Sequence, residues 1–417
     1  METPFGVVRG PRNLVFGAGQ RAALAQYAKA LGRRALFVTD DRMAGEPVFD
    51  RMVRDVEEAG TSVAVFSGVQ AELPADCIAK GLAQGADIAA DVIIGVGGGS
   101  CLDAAKVIAL LLAHGGDISS YYGEFKVPGP IVPLIAVPTT AGTGSEVTPV
   151  AVVSDRSRAV KVGIASPHLI PHTAICDPEL TYGCPPGLTA VSGADALTHA
   201  IEAFTTKRRE PAGSIAHDHV FLGKNALSDL YALEAIRLIG GSLAPAVRDS
   251  SDQKARTDMM LGATLAGLAF GTAGTAAAHA VQYPVGALTH TAHGLGVAAM
   301  MPYVMAFNLP AITPELAEIA VALGLVVDGL TQRQRAFAAV DGVAALFADI
   351  GIPTDLKTLG LEEDKLGWVV EQALAATRLV KNNARPLDTQ SMTRLVLAAY
   401  RGDRDALQDG QLEREAK

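Results

Sequence analysis

From Met259 to Pro314 the chain runs 56 residues without an Asp, Glu, Lys or Arg. A water-soluble chain gives up formal charge over such a length where the segment is buried, so the stretch is expected to form the interior of a helical domain. A membrane span fits less well, because Gln282, Pro284, Pro302, Pro310, several glycines and three histidines interrupt it. Two of those histidines, His279 and His293, need polar partners in such surroundings. Upstream, Asp195 and His199 stand four apart in a helical pattern ending at Glu202, which sets both side chains on one helix face. One carboxylate and three imidazoles form a candidate divalent-metal site. A lone histidine would favour a satisfied polar cluster in a helical core, but four such groups favour the metal.

At 417 residues the chain exceeds the size at which one core stops growing, so two domains are expected. The first half alternates short β-branched runs (35–39, 62–66, 91–95, 134–137) with helix-period segments (41–59, 74–88, 101–114). That grammar predicts parallel βαβ units and a nucleotide site. After about residue 184 strand signals fade, and helical patterns run through 188–206, 228–241, 253–270, 315–324, 333–350 and 362–380. The expected division is an α/β dinucleotide-binding domain with a parallel sheet over 1–184 and an all-α domain over 185–417, with the active site in the cleft between them. The segment after Arg401 reads as a solvated, frayed end.

Net charge is −9 and no Lys/Arg cluster is strong enough to suggest nucleic acid, so no nucleic-acid partner is expected and small-molecule chemistry is favoured. Cys77, Cys101, Cys176 and Cys184 show no CxxC spacing, so reduced thiols and a cytoplasmic protein are expected. The N-terminus has no basic region followed by an apolar run, so no signal peptide is expected.

The run Val92–Val96 leads straight into Gly97-Gly98-Gly99-Ser100 and a helix carrying Asp103 and Lys106. Glycines let backbone N–H groups approach a diphosphate and a helix N-terminus attracts it, although a tight strand-to-helix turn alone would look the same. A second run, Pro138 to Thr148, holds Thr139, Thr140, Gly142, Thr143, Gly144, Ser145 and Glu146, and reads as another cleft wall or as a surface loop. Asp40, at the end of a strand, would accept from a ribose 2′-OH and repel a 2′-phosphate, favouring NAD over NADP; an N-cap is the competing role.

Taken together in order, Gly97–Lys106, Pro138–Thr148, Gly193–Ala203, and His279 followed by His293-Gly294 resemble the group III iron-containing (metal-dependent) alcohol dehydrogenases over nearly the whole chain. The resemblance implies an N-terminal dinucleotide domain, a C-terminal helical domain similar to that of dehydroquinate synthase, and hydride transfer between NAD(H) and a small alcohol/aldehyde or hydroxyacid/oxoacid. It places Fe²⁺ or Zn²⁺ on Asp195, His199, His279 and His293, and cofactor contacts on Asp40, Gly98, Gly99, Ser100, Thr139, Thr140, Thr148, Val150, Lys161, Leu180 and Gly183. Lys161 could steer an anionic group or sit solvated in a hairpin-like 158–162 segment. A homodimer follows by family analogy.

Three departures stand out. Where many members carry a proton-relay histidine, this chain has Tyr283, a catalytic candidate whose phenol, near pKa ~10, is a poor proton acceptor at neutral pH. The usual Pro-Asn-Pro is replaced by Ala71-Glu72-Leu73-Pro74. The link after the metal helix is lengthened over 207–225, with Lys207, Arg208, Arg209, His217, His219 and Lys224. This looks similar to the hydroxyacid-oxoacid transhydrogenase branch, whose cations could bind a substrate carboxylate; a solvated basic loop is the plainer reading. His217 and His219 are expected to be loop residues, since the four-ligand set is complete without them. A transhydrogenase with tightly held nicotinamide and a dehydroquinate-synthase-like lyase remain as alternatives.

Overall fold

The computed structural model describes residues 4–155 and 161–407. Part of the hairpin-like segment, including Arg158, and the chain beyond 407 lie outside the described residues. Among the described residues, nine strands form two sheets: β1 (Asn13–Phe16), β2 (Arg34–Val38), β3 (Ser62–Phe66), β4 (Val92–Gly97), β5 (Gly123–Glu124), β6 (Leu134–Pro138), β7 (Val150–Val153), β8 (Val162–Ala165) and β9 (Thr173–Cys176). The larger sheet is all parallel, ordered β1-β9-β6-β4-β2-β3. The smaller is β5-β8-β7, with β7 and β8 antiparallel.

The four strands expected from β-branched runs are all present. β1, β5, β7, β8 and β9 were not set out from the sequence, being only two to four residues long. β4 and β6 are buried along their whole length, which is why they read as unbroken apolar runs rather than alternating ones. Because β2 leads outward to β3 while β4 leads back toward β6, the strand order reverses between β2 and β4. A crevice opens there beyond the strands' C-terminal ends, the place where such sheets take ligands.

From Pro186 onward the described residues contain only helices and connections. The charge-free stretch occupies the end of the helix Gln253–Ala273, the whole of Ala277–Thr289 and much of His293–Ala322. Most of its alanines and methionines, with Phe307, belong to one apolar core that also takes in Leu197, Ile201 and Phe204 of the helix Pro186–Thr205. Pro284, Pro302 and Pro310 do not end their helices; the backbone leaves helical geometry only at Ile312 (φ −130°, ψ 28°). Two helices, Ala226–Arg248 and His293–Ala322, are long and apolar enough to cross a membrane, and 44% and 83% of their apolar windows are buried inside the fold.

Two expectations are corrected. The single 362–380 helical pattern is broken into Leu366–Ala375 and Thr377–Asn382, because Ala376 takes ψ 58° between them. The segment after Arg401 does not fray at once: Asp405–Leu407 makes a turn of 3-10 helix and Leu407 is buried.

Candidate active site in the interdomain cleft

One cavity of about 690 Å³ runs from the β2 and β4 strand ends to the charge-free helices. At the sheet end, Gly97 has φ +147°, a conformation open to glycine, and a Cβ there would meet the Cys101 Sγ at 2.6 Å. This turn starts the helix Gly99–His114 with no side-chain cap, so its first amides face the cavity beside Gly98, Gly99 and Ser100. Asp103 and Lys106 on that helix tie the second motif in place. Asp103 accepts from Ser145 Oγ (2.6 Å) and Val152 N (2.9 Å). The Lys106 ammonium donates to the Thr148 carbonyl (2.9 Å), Thr148 Oγ1 (3.2 Å) and the Val150 carbonyl (2.7 Å). Burial pushes Lys106 down to about 8, against the pull of Asp103 and Glu146. Gly144 (φ +62°) lets the loop touch the helix Gln253–Ala273, since a Cβ would meet the Gly267 Cα at 2.6 Å.

Asp40 both caps and lines. Its carboxylate accepts from Met43 N (2.7 Å), capping the helix Asp41–Ala44, and its other oxygen faces Cys101 Sγ at 3.6 Å on the cavity wall. Thr139, Thr140, Thr148, Val150 and Lys161 line the same wall. Leu180 and Gly183 do not: Leu180 packs against the core under the sheet, and Gly183 is exposed. Lys161 is not solvated. It ion-pairs with Glu72, and burial leaves it 24% exposed. Glu72 and Leu73, at φ +63° and +46°, turn the replaced Pro-Asn-Pro segment into the cavity wall, where sequence reasoning placed no site residue.

At the other end, Asp195, His199, His279 and His293 bring one donor atom each within 4.8 Å of one another. The helix Pro186–Thr205 presents the first two, the helix Ala277–Thr289 the third, and His293 opens the helix that carries the fourth. His199 stacks on Phe270 (4.2 Å) and His279 (4.8 Å). Burial drives His199 and His293 well below the usual imidazole range, so both are neutral donors; it pushes Asp195 up to about 7, against the pull of His279. Asp195 Oδ1 and His279 Nε2 are buried with no hydrogen-bond partner, and His199 Nε2 faces Asp195 Oδ1 at 3.7 Å, too far for a hydrogen bond. Unpaired polar atoms pointing together in an apolar core are costly unless a cation takes them up. Three nitrogens and one carboxylate oxygen suit Fe²⁺ or Zn²⁺. The donor set fits a resident metal.

Glu202, one and two helical turns beyond His199 and Asp195, completes the arrangement. It accepts from His279 Nδ1 (2.6 Å), Ala276 N (2.9 Å) and Ala278 N (2.8 Å), leaving His279 Nε2 for the centre. Its spacing was visible in the motif, since residues three and seven positions on share a helix face. Tyr283 stacks on His293 at 6.0 Å and lines the cavity, with burial raising its phenol above the usual range. The 207–225 cations are not among the residues that line the cavity, which favours the plainer reading of a basic loop over direct substrate binding. Lys224 and Arg208 turn to Asp229 (2.9 and 3.6 Å), with Lys224 also over the Phe204 ring. His217 and His219 lie outside the donor cluster.

A crevice at a sheet switch point that opens onto an Asp/His₃ cluster, three of its four members buried, has the layout that a metal-dependent dehydrogenase needs. Residues 11–178 match the profile of "Iron-containing alcohol dehydrogenase" and residues 189–400 that of "Fe-containing alcohol dehydrogenase family, C-terminal". The chain is 37% identical over 362 residues to the 1,3-propanediol dehydrogenase of Citrobacter freundii, covering 86% of this chain and 90% of that protein. It is 34% identical over 391 residues to the NAD-dependent methanol dehydrogenase of Bacillus methanolicus, covering 93% and 97%. The crystal structure of a 1,3-propanediol oxidoreductase superposes with TM-score 0.88 at 34% identity, covering 95% of this chain and all of that one. The chain belongs to the iron-containing alcohol dehydrogenase family. It is an oxidoreductase of alcohols and their carbonyl partners, which sets aside the lyase alternative.

Proposed function

We propose that the chain oxidises a small alcohol or hydroxyacid, and reduces its carbonyl partner, with NAD and a divalent iron or zinc ion held by Asp195, His199, His279 and His293. The observation that carries this reading is the four-donor cluster at one end of a cavity whose other end is an uncapped, glycine-opened helix N-terminus. When bound, the metal supplies Lewis acidity to the substrate oxygen and the nicotinamide accepts or returns hydride. The protein's part is placement. Gly98, Gly99 and Ser100 offer amides to a diphosphate, Asp40 offers a carboxylate to a ribose hydroxyl, Glu202 keeps the His279 proton on Nδ1, and Phe270 shields the cluster from water.

The domain boundary proposed is 184/185, between the last strand and the first long helix. A cytoplasmic homodimer completes the reading, tested by sedimentation of the intact chain.

The test is metal removal. Protein stripped with a chelator should lose alcohol oxidation by NAD, and regain it with Fe²⁺ or Zn²⁺ in step with metal content. Full activity in metal-free protein would sink the reading. Release of free NADH should accompany turnover; hydride exchange between a hydroxyacid and an oxoacid without added NAD would shift it to a transhydrogenase.

A further inference from the structure

Among the described residues, three basic side chains line the cavity: Arg42, Lys161 and Arg378. Two are neutralised, Arg42 by Glu46 at 3.7 Å and Lys161 by Glu72. Arg378 has no ion-pair partner among the described residues, and its Nη1 is buried without a hydrogen bond. The carboxylates that attract it are engaged elsewhere: Glu124 accepts from Val220 N at 2.9 Å, and Glu202 holds His279 and two amides. Arg209 adds like charge nearby. A guanidinium stays charged even when burial opposes it, so an idle donor here is costly until an anion arrives.

The group is also held in place. Its guanidinium rests 4.3 Å from the Phe221 ring centroid, and Phe221 comes from the lengthened link. Neighbours of Phe221 are pinned by Leu222 N to the Thr272 carbonyl (2.7 Å) and by Arg9 Nη1 to the Val220 carbonyl (2.6 Å). The short helix bearing Arg378 is fixed by Asn382 Nδ2, which donates to the carbonyls of Ala273 (3.0 Å) and Thr275 (3.1 Å). Arg378 lines the same cavity as Tyr283, His279 and His293. It lies close enough to Tyr283 for each to act on the other's charge, and the Tyr283 hydroxyl offers a second donor.

We propose that Arg378 receives a carboxylate at the far end of the substrate, so that the substrates are short hydroxyacids and their carbonyl partners rather than uncharged alcohols. This rests on the metal-site reading above. The lengthened link then acts through Phe221, as the platform that positions the arginine, and not through its own cations.

The experiment compares kcat/KM for 4-hydroxybutyrate and 1-butanol in metal-loaded wild type, Arg378→Gln and Arg378→Lys, with metal content and melting recorded for each. Wild type should favour the acid. In Arg378→Gln the acid-to-alcohol ratio should fall about 10- to 100-fold, mainly through KM for the acid, as expected for loss of a charge-assisted hydrogen bond, with Arg378→Lys in between. Binding of unreactive butyrate, followed by calorimetry, should weaken in the same order. If Arg378→Gln fails to fold, Phe221→Leu should lower the ratio in the same direction by a smaller factor. An unchanged ratio in a variant that still oxidises 1-butanol overturns the carboxylate role and leaves the dehydrogenase intact. Failure of wild type to oxidise either substrate overturns both.

Discussion

The Glu202 carboxylate lies 2.6 Å from Nδ1 of His279 while also taking two amides at the start of that histidine's own helix. One side chain therefore sets both where the helix begins and which ring nitrogen faces the cluster. A carboxylate only accepts, so the His279 proton is fixed on Nδ1 and Nε2 keeps its lone pair for a metal.

Glu202→Gln should weaken metal affinity about 10- to 100-fold, because the amide neither charges the pair nor enforces the tautomer. Competition against a chelator of known affinity measures it. Unaltered affinity would reduce Glu202 to a helix cap.

Gly294→Ala should loosen the centre without removing a donor. A Cβ at Gly294 would meet the Val191 carbonyl at 2.6 Å and the Asp195 Cβ at 3.0 Å, so the helix carrying His293 must back away from the helix carrying Asp195. Metal titration and melting temperature should both fall, by roughly 1–3 kcal/mol in stability as overpacking generally does. An unshifted melt would show that the two helices slide apart freely.

Lys106 links stability to alkaline pH. Its folded pKa of about 8 lies below the ordinary 10.5, so between these values the unfolded chain binds the extra proton and stability rises with pH. The group's penalty is fully present below about 8 and is relieved by 10.5, a gain of about 3 kcal/mol. Denaturant midpoints of wild type minus Lys106→Met should grow from pH 7.5 to 9.5. A flat difference would mean that Lys106 keeps its ordinary pKa. At every pH the variant should be less stable, because three acceptors lose their donor.

Tyr283→Phe should lower kcat less than tenfold and leave the pH profile in place, because a phenol whose pKa burial has raised is no proton acceptor near neutrality. A loss of about 100-fold or more with a displaced profile limb would instead assign the proton transfer to Tyr283.

Much was legible in the chain order. The i,i+4 spacing of Asp195 and His199, and the charge-free segment around His279 and His293, marked the four donors because helix periodicity and desolvation are local properties. The long strands showed for the same reason, whereas β1, β5, β7, β8 and β9 are too short to carry a pattern. Lys161 and the 207–225 cations were ambiguous in the sequence, because a basic residue near a cleft is silent about its partner: Glu72 pairs with Lys161, and Asp229 pairs with Lys224 and Arg208.

The sequence by itself determined the change from strand-and-helix to all-helix grammar, the glycine-rich turn after β4 and the types of the four candidate donors, since each can be read from local periodicity and residue type. Tertiary structure alone decided which polar atoms are left without partners. Arg378 carries no local signature, and it becomes an idle cation in the cavity that holds the donor cluster only because Phe221, more than a hundred residues earlier, is folded against it. Burial and pairing are sums over neighbours that chain order does not record.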